Sequence, residues 1–215
     1  MNTFVCPFLA ILMVCAPVHA LHAERVVVDP AIAVSAQEAV QKLGTEMMKG
    51  NFKYGQDRMY PRWKRRLAKR VGGMDKLEAQ LLAATQQRLN MRLTVTAYRA
   101  DRPTAFFDVW KSKKIDPETG LPVKDASGQE IIVEHWLAIV PTTTRVKVPD
   151  MQQGGKIRVL EEQSYTVAIS EKGANDWYFL TGMKPTLQDL RSLFPSLPGD
   201  EKELGLPESS AREIE

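Results

Sequence analysis

The sequence is poor in cysteine and histidine, and this limits the chemistry that the chain can carry. Its two cysteines, Cys6 and Cys15, both lie near the start, and His135 is the only histidine beyond residue 22. A disulfide framework, a cysteine-based zinc site and a thiol nucleophile are therefore excluded from most of the chain. A single histidine also argues against a transition-metal site, so we expect no metal and no cofactor.

The sequence also lacks the short motifs that carry several common reactions. It contains no G-x-S-x-G nucleophile elbow, no P-loop and no G-x-G-x-x-G dinucleotide motif. The adjacent glycines Gly154 and Gly155 fall at the predicted tip of a hairpin, which is not a phosphate cradle. The absence of a catalytic motif favours a binding protein over an enzyme.

Residues 1–23 have the pattern of an export signal. An apolar core over Phe4–Val14 is followed by small residues, and cleavage is predicted after Ala20 or Ala23. The apolar run is too short to span a bilayer as a helix. A lipid anchor on Cys15 is disfavoured because a branched residue precedes that cysteine. We therefore expect a periplasmic or secreted protein that does not bind nucleic acid.

Composition divides the rest of the chain into three parts. Residues 24–34 are predicted to be a connector, and residues 35–198 form one domain that is large enough to be held by its own core. Residues 199–215 carry six acids against two bases, with proline, glycine and no aromatic residue. That composition is typical of a disordered acidic tail.

Three long helices are predicted before the first strand. Ser35 and Glu38 have the spacing of a capping box, and the apolar spacing that follows predicts a helix ending at Gly50. Pro61 suits the first position of the next helix. The third helix has a broad predicted apolar face, which consists of Leu77, Leu81, Leu82, Ala84 and Leu89. Residues 51–59 have room for a further short helix.

Apolar and polar residues alternate from Leu93 onward, which predicts an antiparallel meander. Its main element is a long hairpin with strands at Glu130–Val148 and Lys156–Ser170, followed by a strand at Trp177–Thr181. The order predicts an α+β fold, with three N-terminal helices packed on a curved antiparallel sheet of about five strands. A short C-terminal helix at Thr186–Phe194 closes the domain.

The hairpin combines a regular pattern with two interruptions. On its first strand, odd-numbered residues 131–139 share one face and even-numbered residues 132–140 share the other. Pro141 cannot donate to a sheet ladder, so it marks a bulge or an edge position. Glu161 and Gln163 fall on the otherwise apolar face of the return strand, which indicates a bulge or two polar side chains on an apolar face.

Local strings in this order resemble the NTF2-like superfamily, also called cystatin-like or cone-shaped, as found in small exported bacterial proteins. They are Met59-Tyr60-Pro61, Val71-Gly72-Gly73, and Asp176–Gly182 followed by Phe194-Pro195. The resemblance covers residues 35–198 and implies a sheet curved into a cone. It does not imply one activity, because the superfamily contains isomerases, dehydratases and transport adaptors.

Three ionisable residues fall on predicted apolar strand faces, namely Asp108, His135 and Glu161. Enzymes of the superfamily place an ionisable side chain inside the cone, and a buried carboxylate with a raised pKa can act as a base. The competing interpretation is structural for each of the three. In that interpretation Asp108 lies on the outer side of the sheet, His135 is hydrogen-bonded in the core, and a bulge turns Glu161 outward.

The helix that begins at Pro61 is strongly basic. Its cations surround one tryptophan, and the set is Arg62, Trp63, Arg65, Arg66, Lys69 and Arg70. Such a surface can bind anionic lipid, envelope polysaccharide or an acidic protein. The alternative is that Trp63 packs inward and the charges face solvent, partly against the acidic tail.

Taken together, these patterns predict an exported NTF2-like domain that binds an unknown small molecule or protein without catalysing a reaction. A first alternative is an isomerase- or dehydratase-type enzyme with a base in the cone. A second is a binder of the anionic envelope surface through residues 61–71. The sheet also offers a surface for a homodimer.

Overall fold

A computed structural model describes residues 23–114, 116, 119, 121–150 and 156–214. Within these residues the chain forms six helices and one antiparallel sheet of six strands. The α+β class is confirmed, but four helices precede the sheet instead of three, and the sheet has one strand more than expected. Nearly all of the predicted export signal and the predicted hairpin tip lie outside the described residues.

The helices and strands have the following bounds. The helices are α1 (Pro30–Met48), α2 (Phe52–Asp57), α3 (Pro61–Val71), α4 (Met74–Asn90), α5 (Leu187–Leu193) and α6 (Glu201–Leu204). The strands are β1 (Thr94–Ala100), β2 (Ala105–Lys113), β3 (Ile132–Asp150), β4 (Lys156–Glu171), β5 (Tyr178–Phe179) and β6 (Ser210–Ile214). No helix of the described part is both long and apolar enough to cross a membrane.

Helix α1 begins earlier than predicted. Asp29 caps it by accepting a hydrogen bond from the amide of Ala31 at 2.8 Å, and Pro30 occupies the first turn. Ser35, the predicted cap, lies inside the helix, where its hydroxyl accepts a 2.9 Å hydrogen bond from the indole of Trp177. The predicted connector over residues 24–34 is therefore wrong from Pro30 onward.

Helix α4 buries much less apolar surface than predicted. Leu77 is buried and Leu81 is partly buried, whereas Leu82 and Leu89 are 70% and 56% exposed. The physical reason is that α4 packs mainly against α3 and stands away from the sheet. A cleft remains between α4 and the sheet.

Strands β3 and β4 form the centre of the sheet. They pair without a register shift from His135 opposite Glu171 to Asp150 opposite Lys156. Strands β2 and β1 pair one after the other along the outer edge of β3, and β5 and β6 do the same along β4. The β3–β4 pairing at Glu161 therefore has no bulge. Of the two alternatives that the sequence left open, the one that holds at Glu161 is a polar side chain on an otherwise apolar strand face.

Pro141 is neither in a bulge nor on an edge strand. It lies where β3 passes from β2 to β1, and its carbonyl accepts a 2.9 Å hydrogen bond from the amide of Asp101 in the turn between those strands. In an antiparallel strand the amide and the carbonyl of one residue point to the same edge. The position of the missing amide of Pro141 therefore faces this turn. The proline therefore removes a donor only at this turn, beyond the last β1–β3 pair at Ala100 and Thr142.

One half of the hairpin is covered on both faces. On one face α3 and α5 pack on odd-numbered residues such as Leu137, Ile139 and Val167. On the other face α1 packs on Ala138 and Val140. The predicted division of the β3 side chains between two faces is confirmed, and the helices cover both faces of the sheet instead of one.

The acidic segment is ordered in its described part, so the prediction of a disordered tail over residues 199–215 is wrong up to residue 214. Asp200 caps α6, and β6 pairs with β4. Leu204 is fully buried in the core that α3 and α5 share, and Leu206 packs against it. These two leucines anchor the segment despite its acidic composition.

Candidate functional site

The three ionisable residues expected in the cone do not converge. Asp108 lies opposite Trp136 and His135 opposite Val109, so Asp108 and His135 are on opposite faces of the sheet. Asp108 accepts a 2.6 Å hydrogen bond from the ammonium group of Lys172. His135 lines a groove beside α3. The described residues contain no cluster of potential metal ligands.

Glu161, the third of these residues, is held by two arginines. Its carboxylate accepts hydrogen bonds from Arg212 at 2.7 Å and from Arg145 at 2.9 Å, and the residue is 6% exposed. The hydrogen bonds from Arg212 and then Arg145 hold the pKa of the Glu161 carboxyl below its usual range. A general base needs the opposite shift, so this geometry favours a structural role that joins β6 to β4.

A cleft of about 360 Å³ lies between α4 and the half of the β3–β4 hairpin that is nearer its tip, which we call the far half. Its volume falls in the range of small-molecule sites. Apolar side chains from α1, α2–α3 and α4 form much of the wall, namely Leu43, Met47, Phe52, Met59 and Leu81. Residues 180–185, which follow β5, close the remaining side.

The floor of the cleft is a row of hydroxyl groups, which we call the hydroxyl floor. It consists of Tyr98, Thr142, Thr144, Ser164 and Thr166. The register places Thr142 opposite Ser164 and Tyr98 opposite Thr144, so these side chains share one face of three adjacent strands. The same face carries Ala138, Val140 and Ala168 beneath α1, and the hydroxyl floor continues it beyond the apolar core.

Tyr98 is the largest member of the hydroxyl floor, and α1 is shaped around it. Its phenol hydrogen-bonds the side chains of Thr166 and Thr142. The phenol is neutral near pH 7 and can both donate and accept, and burial raises the pKa of Tyr98 further above that pH. Its ring lies against Gly44, where a Cβ atom would overlap the ring. A glycine is therefore required at this position of the helix.

Charged side chains lie at the rim of the cleft. Arg88 lies over the ring of Phe52 at 5.8 Å, and Lys184 lies over the ring of Tyr165 at 5.3 Å. Glu162 is the carboxylate among the described lining residues, and it is exposed. The lining thus offers neutral hydrogen-bonding groups and apolar contact, without a buried acid or histidine.

The basic helix α3 turns its tryptophan inward. Trp63 is fully buried, and its indole donates a 2.9 Å hydrogen bond to the carbonyl of Thr181. The prediction that Trp63 contributes to an anion-binding surface is therefore wrong, because its ring is buried in the core between α3 and the sheet. Arg66 and Arg70 pair with Asp189 of α5 and not with the acidic tail.

Sequence reasoning missed the hydroxyl floor. Threonine and serine are common on exposed strand faces, so neither Thr142–Thr144 nor Ser164 stands out. The available signal was a change along one face of β3, where Ala138 and Val140 give way to Thr142 and Thr144. That change marks the point at which α1 no longer covers the strand.

The chain was compared with known proteins in three ways, and none gave a match. A scan against protein-family models found no match. Searches of the curated proteins and of the solved structures found none either.

Proposed function

We propose that this chain is a binding domain for a small, hydroxyl-bearing molecule, which it holds in the cleft between α4 and the β3–β4 hairpin. The observation that carries the proposal is the hydroxyl floor beneath apolar walls in a cavity of about 360 Å³. Neutral hydroxyls both donate and accept hydrogen bonds. They suit a polyol, a sugar or a small amide better than a multiply charged ligand.

Two further features belong to the proposal. Helices followed by an antiparallel sheet, with a cleft on the face that α1 covers, support the NTF2-like architecture expected for residues 35–198. The apolar opening of the sequence supports export to the periplasm or beyond.

Binding is favoured over catalysis by the chemistry of the cleft. An isomerase or dehydratase needs a base placed against the substrate. The described lining residues include neither aspartate nor histidine, and Glu162 is exposed at the rim. Tyr98 is a neutral phenol near pH 7, where it can donate a hydrogen bond but is a poor base, and burial raises its pKa further from that pH.

The test is a ligand screen followed by variants of the hydroxyl floor. Polyols, monosaccharides and small amides would be screened by saturation-transfer NMR, and affinities would be measured by calorimetry. Thr166→Val keeps the side-chain shape and removes one hydroxyl. We expect it to weaken a hit by about tenfold, the equivalent of one lost hydrogen bond at about 1.4 kcal/mol.

Thr143→Val is the matched control, because Thr143 lies on the neighbouring strand β3 and points to the face opposite the hydroxyl floor. We expect it to leave affinity unchanged. A screen without hits would contradict the proposal. So would a hit whose affinity is the same in wild type, Thr166→Val and Tyr98→Phe.

A further inference from the structure

The outer surface of α3 carries a second site, distinct from the cleft. One groove of about 690 Å³ runs along α3 to Arg70, and another of about 630 Å³ runs towards the ends of β2 and β3. Arg62 and Arg65 line both, so the two form one surface, which we call the basic groove. We propose that the basic groove binds a linear anionic polysaccharide.

The basic groove is rich in positive charge. Seven cations line the basic groove, namely Arg62, Arg65, Arg66, Lys69, Arg70, Lys113 and Lys114. Among the described residues of its lining there are two carboxylates, Glu171 and Asp176, and Asp176 is already paired with Arg58. Like charges held together in a concave surface raise the local potential and attract a polyanion.

Part of this charge is not neutralised by ion pairs in the described part of the protein. Asp189 of α5 forms ion pairs with Arg66 and Arg70, and Glu130 forms an ion pair with Lys113 at 2.6 Å. In the described part of the chain, the ion pairs do not include Arg65, Lys69 or Lys114. The three therefore remain available to an external anion.

The basic groove is longer than a single anionic group. The seven helical steps from Arg62 to Lys69 cover about 10 Å along the axis of α3. One carboxylate or sulfate cannot contact both ends, whereas a chain with an anionic group on successive units can. Most of the α3 cations are arginines, whose planar fork matches carboxylate and sulfate oxygens.

The choice of a polysaccharide follows from what the basic groove does not expose. Trp63 is fully buried, so α3 has no exposed aromatic anchor for a lipid bilayer. Single-stranded nucleic acid stacks its bases on exposed rings. Here Tyr60 is 7% exposed and packs on Phe194, and the guanidinium of Arg58 covers Tyr178 at 5.5 Å.

The experiment measures binding of the full chain to immobilised heparin, which is sulfated, and to polygalacturonate, which is carboxylated, at about 20 mM and about 150 mM salt. We expect binding at low salt that weakens as salt rises. Arg65→Glu with Lys69→Glu should lose at least about tenfold in affinity, because it replaces attraction by repulsion at two contacts. Lys114→Glu tests the β2 arm of the basic groove separately and should give a smaller loss.

The matched control is Lys147→Glu with Lys156→Glu, two exposed cations on the far half of the hairpin. Both double variants change the formal net charge from +3 to −1, so any difference between them reports position rather than total charge. The proposal is supported if the control keeps its affinity and the groove variant loses it. Equal losses in both would overturn it.

Three other results would also overturn the proposal. They are no binding to either polysaccharide at low salt, tighter binding to single-stranded DNA, and tighter binding to anionic phospholipid vesicles. Preference for heparin or for polygalacturonate supports the proposal in either case and identifies the anionic group. Binding of a cleft ligand should be the same in wild type and the groove variant, which separates this proposal from that for the cleft.

Discussion

The two halves of the β3–β4 hairpin share one regular pairing but lie in opposite surroundings. The near half, residues 133–140 with 167–171, is covered by α1 on one face and by α3 and α5 on the other. The far half carries the hydroxyl floor on one face and Glu161 on the other. Because no register shift separates the halves, the difference arises from side-chain polarity and from which helices reach the strands.

Within the far half, the buried carboxylate of Glu161 and the hydroxyl floor lie on opposite faces of the sheet. Glu161 is closed off by Arg145 and Arg212, whereas Thr144 and Ser164 face a cleft. Glu161, which interrupts the apolar pattern of the sequence, has its hydrogen-bond partners inside the protein. Thr144 and Ser164, which do not stand out in the sequence, are available to a ligand. A break in an apolar pattern therefore identifies a site only when the partners of the breaking residue are known.

The largest expected effect separates the covered near half from the exposed surface. Leu137 is fully buried, and Leu137→Ala should lower the free energy of unfolding by about 2–5 kcal/mol through lost contacts and a cavity. Leu82→Ala makes the same truncation on α4, where the side chain is 70% exposed, and should change it by less than about 0.5 kcal/mol. Urea unfolding measures both, and equal losses would contradict the described position of α4.

A smaller loss is expected where α1 meets the hydroxyl floor. Gly44→Ala places a methyl group on the ring of Tyr98, and overpacking of this kind costs about 1–3 kcal/mol. In isolation, alanine would stabilise the helix relative to glycine. The same substitution made in a Tyr98→Ala background should no longer lower the free energy of unfolding. A double-mutant cycle from thermal unfolding measures this coupling, and additive effects would exclude the contact.

The smallest effect depends on pH and concerns the other face of the far half. The pKa of Glu161 is lowered in the fold from its ordinary value of 4.5, so ionised Glu161 stabilises the folded protein above that pH. Glu161→Gln should be less stable than wild type at pH 7, and the difference should shrink as pH falls below 4.5 through the lower folded pKa. Glu162→Gln is the control, since Glu162 is exposed. A difference between wild type and Glu161→Gln that does not change with pH would show that Arg145 and Arg212 do not act on the carboxylate.

Local features of the fold could be predicted because they depend on neighbouring residues. The alternation of side chains separated Leu137 and Ile139 from Ala138 and Val140, as the two cores confirm. The capping box of α5 was also predictable, since Thr186 and Asp189 satisfy each other across three residues. These patterns need no knowledge of distant contacts.

Features set by distant contacts could not be predicted. Ser35 has the spacing of a cap, but its hydroxyl accepts from Trp177, far along the chain. The acidic segment is ordered because Leu204 enters a core built by earlier elements. The hydroxyl floor becomes a cleft only because α4 stands away from the sheet, and the sequence of α4 predicts a wider buried face than it has.

The central claim is that the hydroxyl floor is the binding surface, and threonine methyl NMR during a ligand titration tests it most directly. With the tightest hydroxyl-bearing ligand from the screen, the methyl signals of Thr142, Thr144 and Thr166 should shift in a saturable way. The signal of Thr143, which lies on the opposite face of β3, should stay in place. Saturable shifts at Thr143 with none at Thr144 and Thr166 would contradict the account.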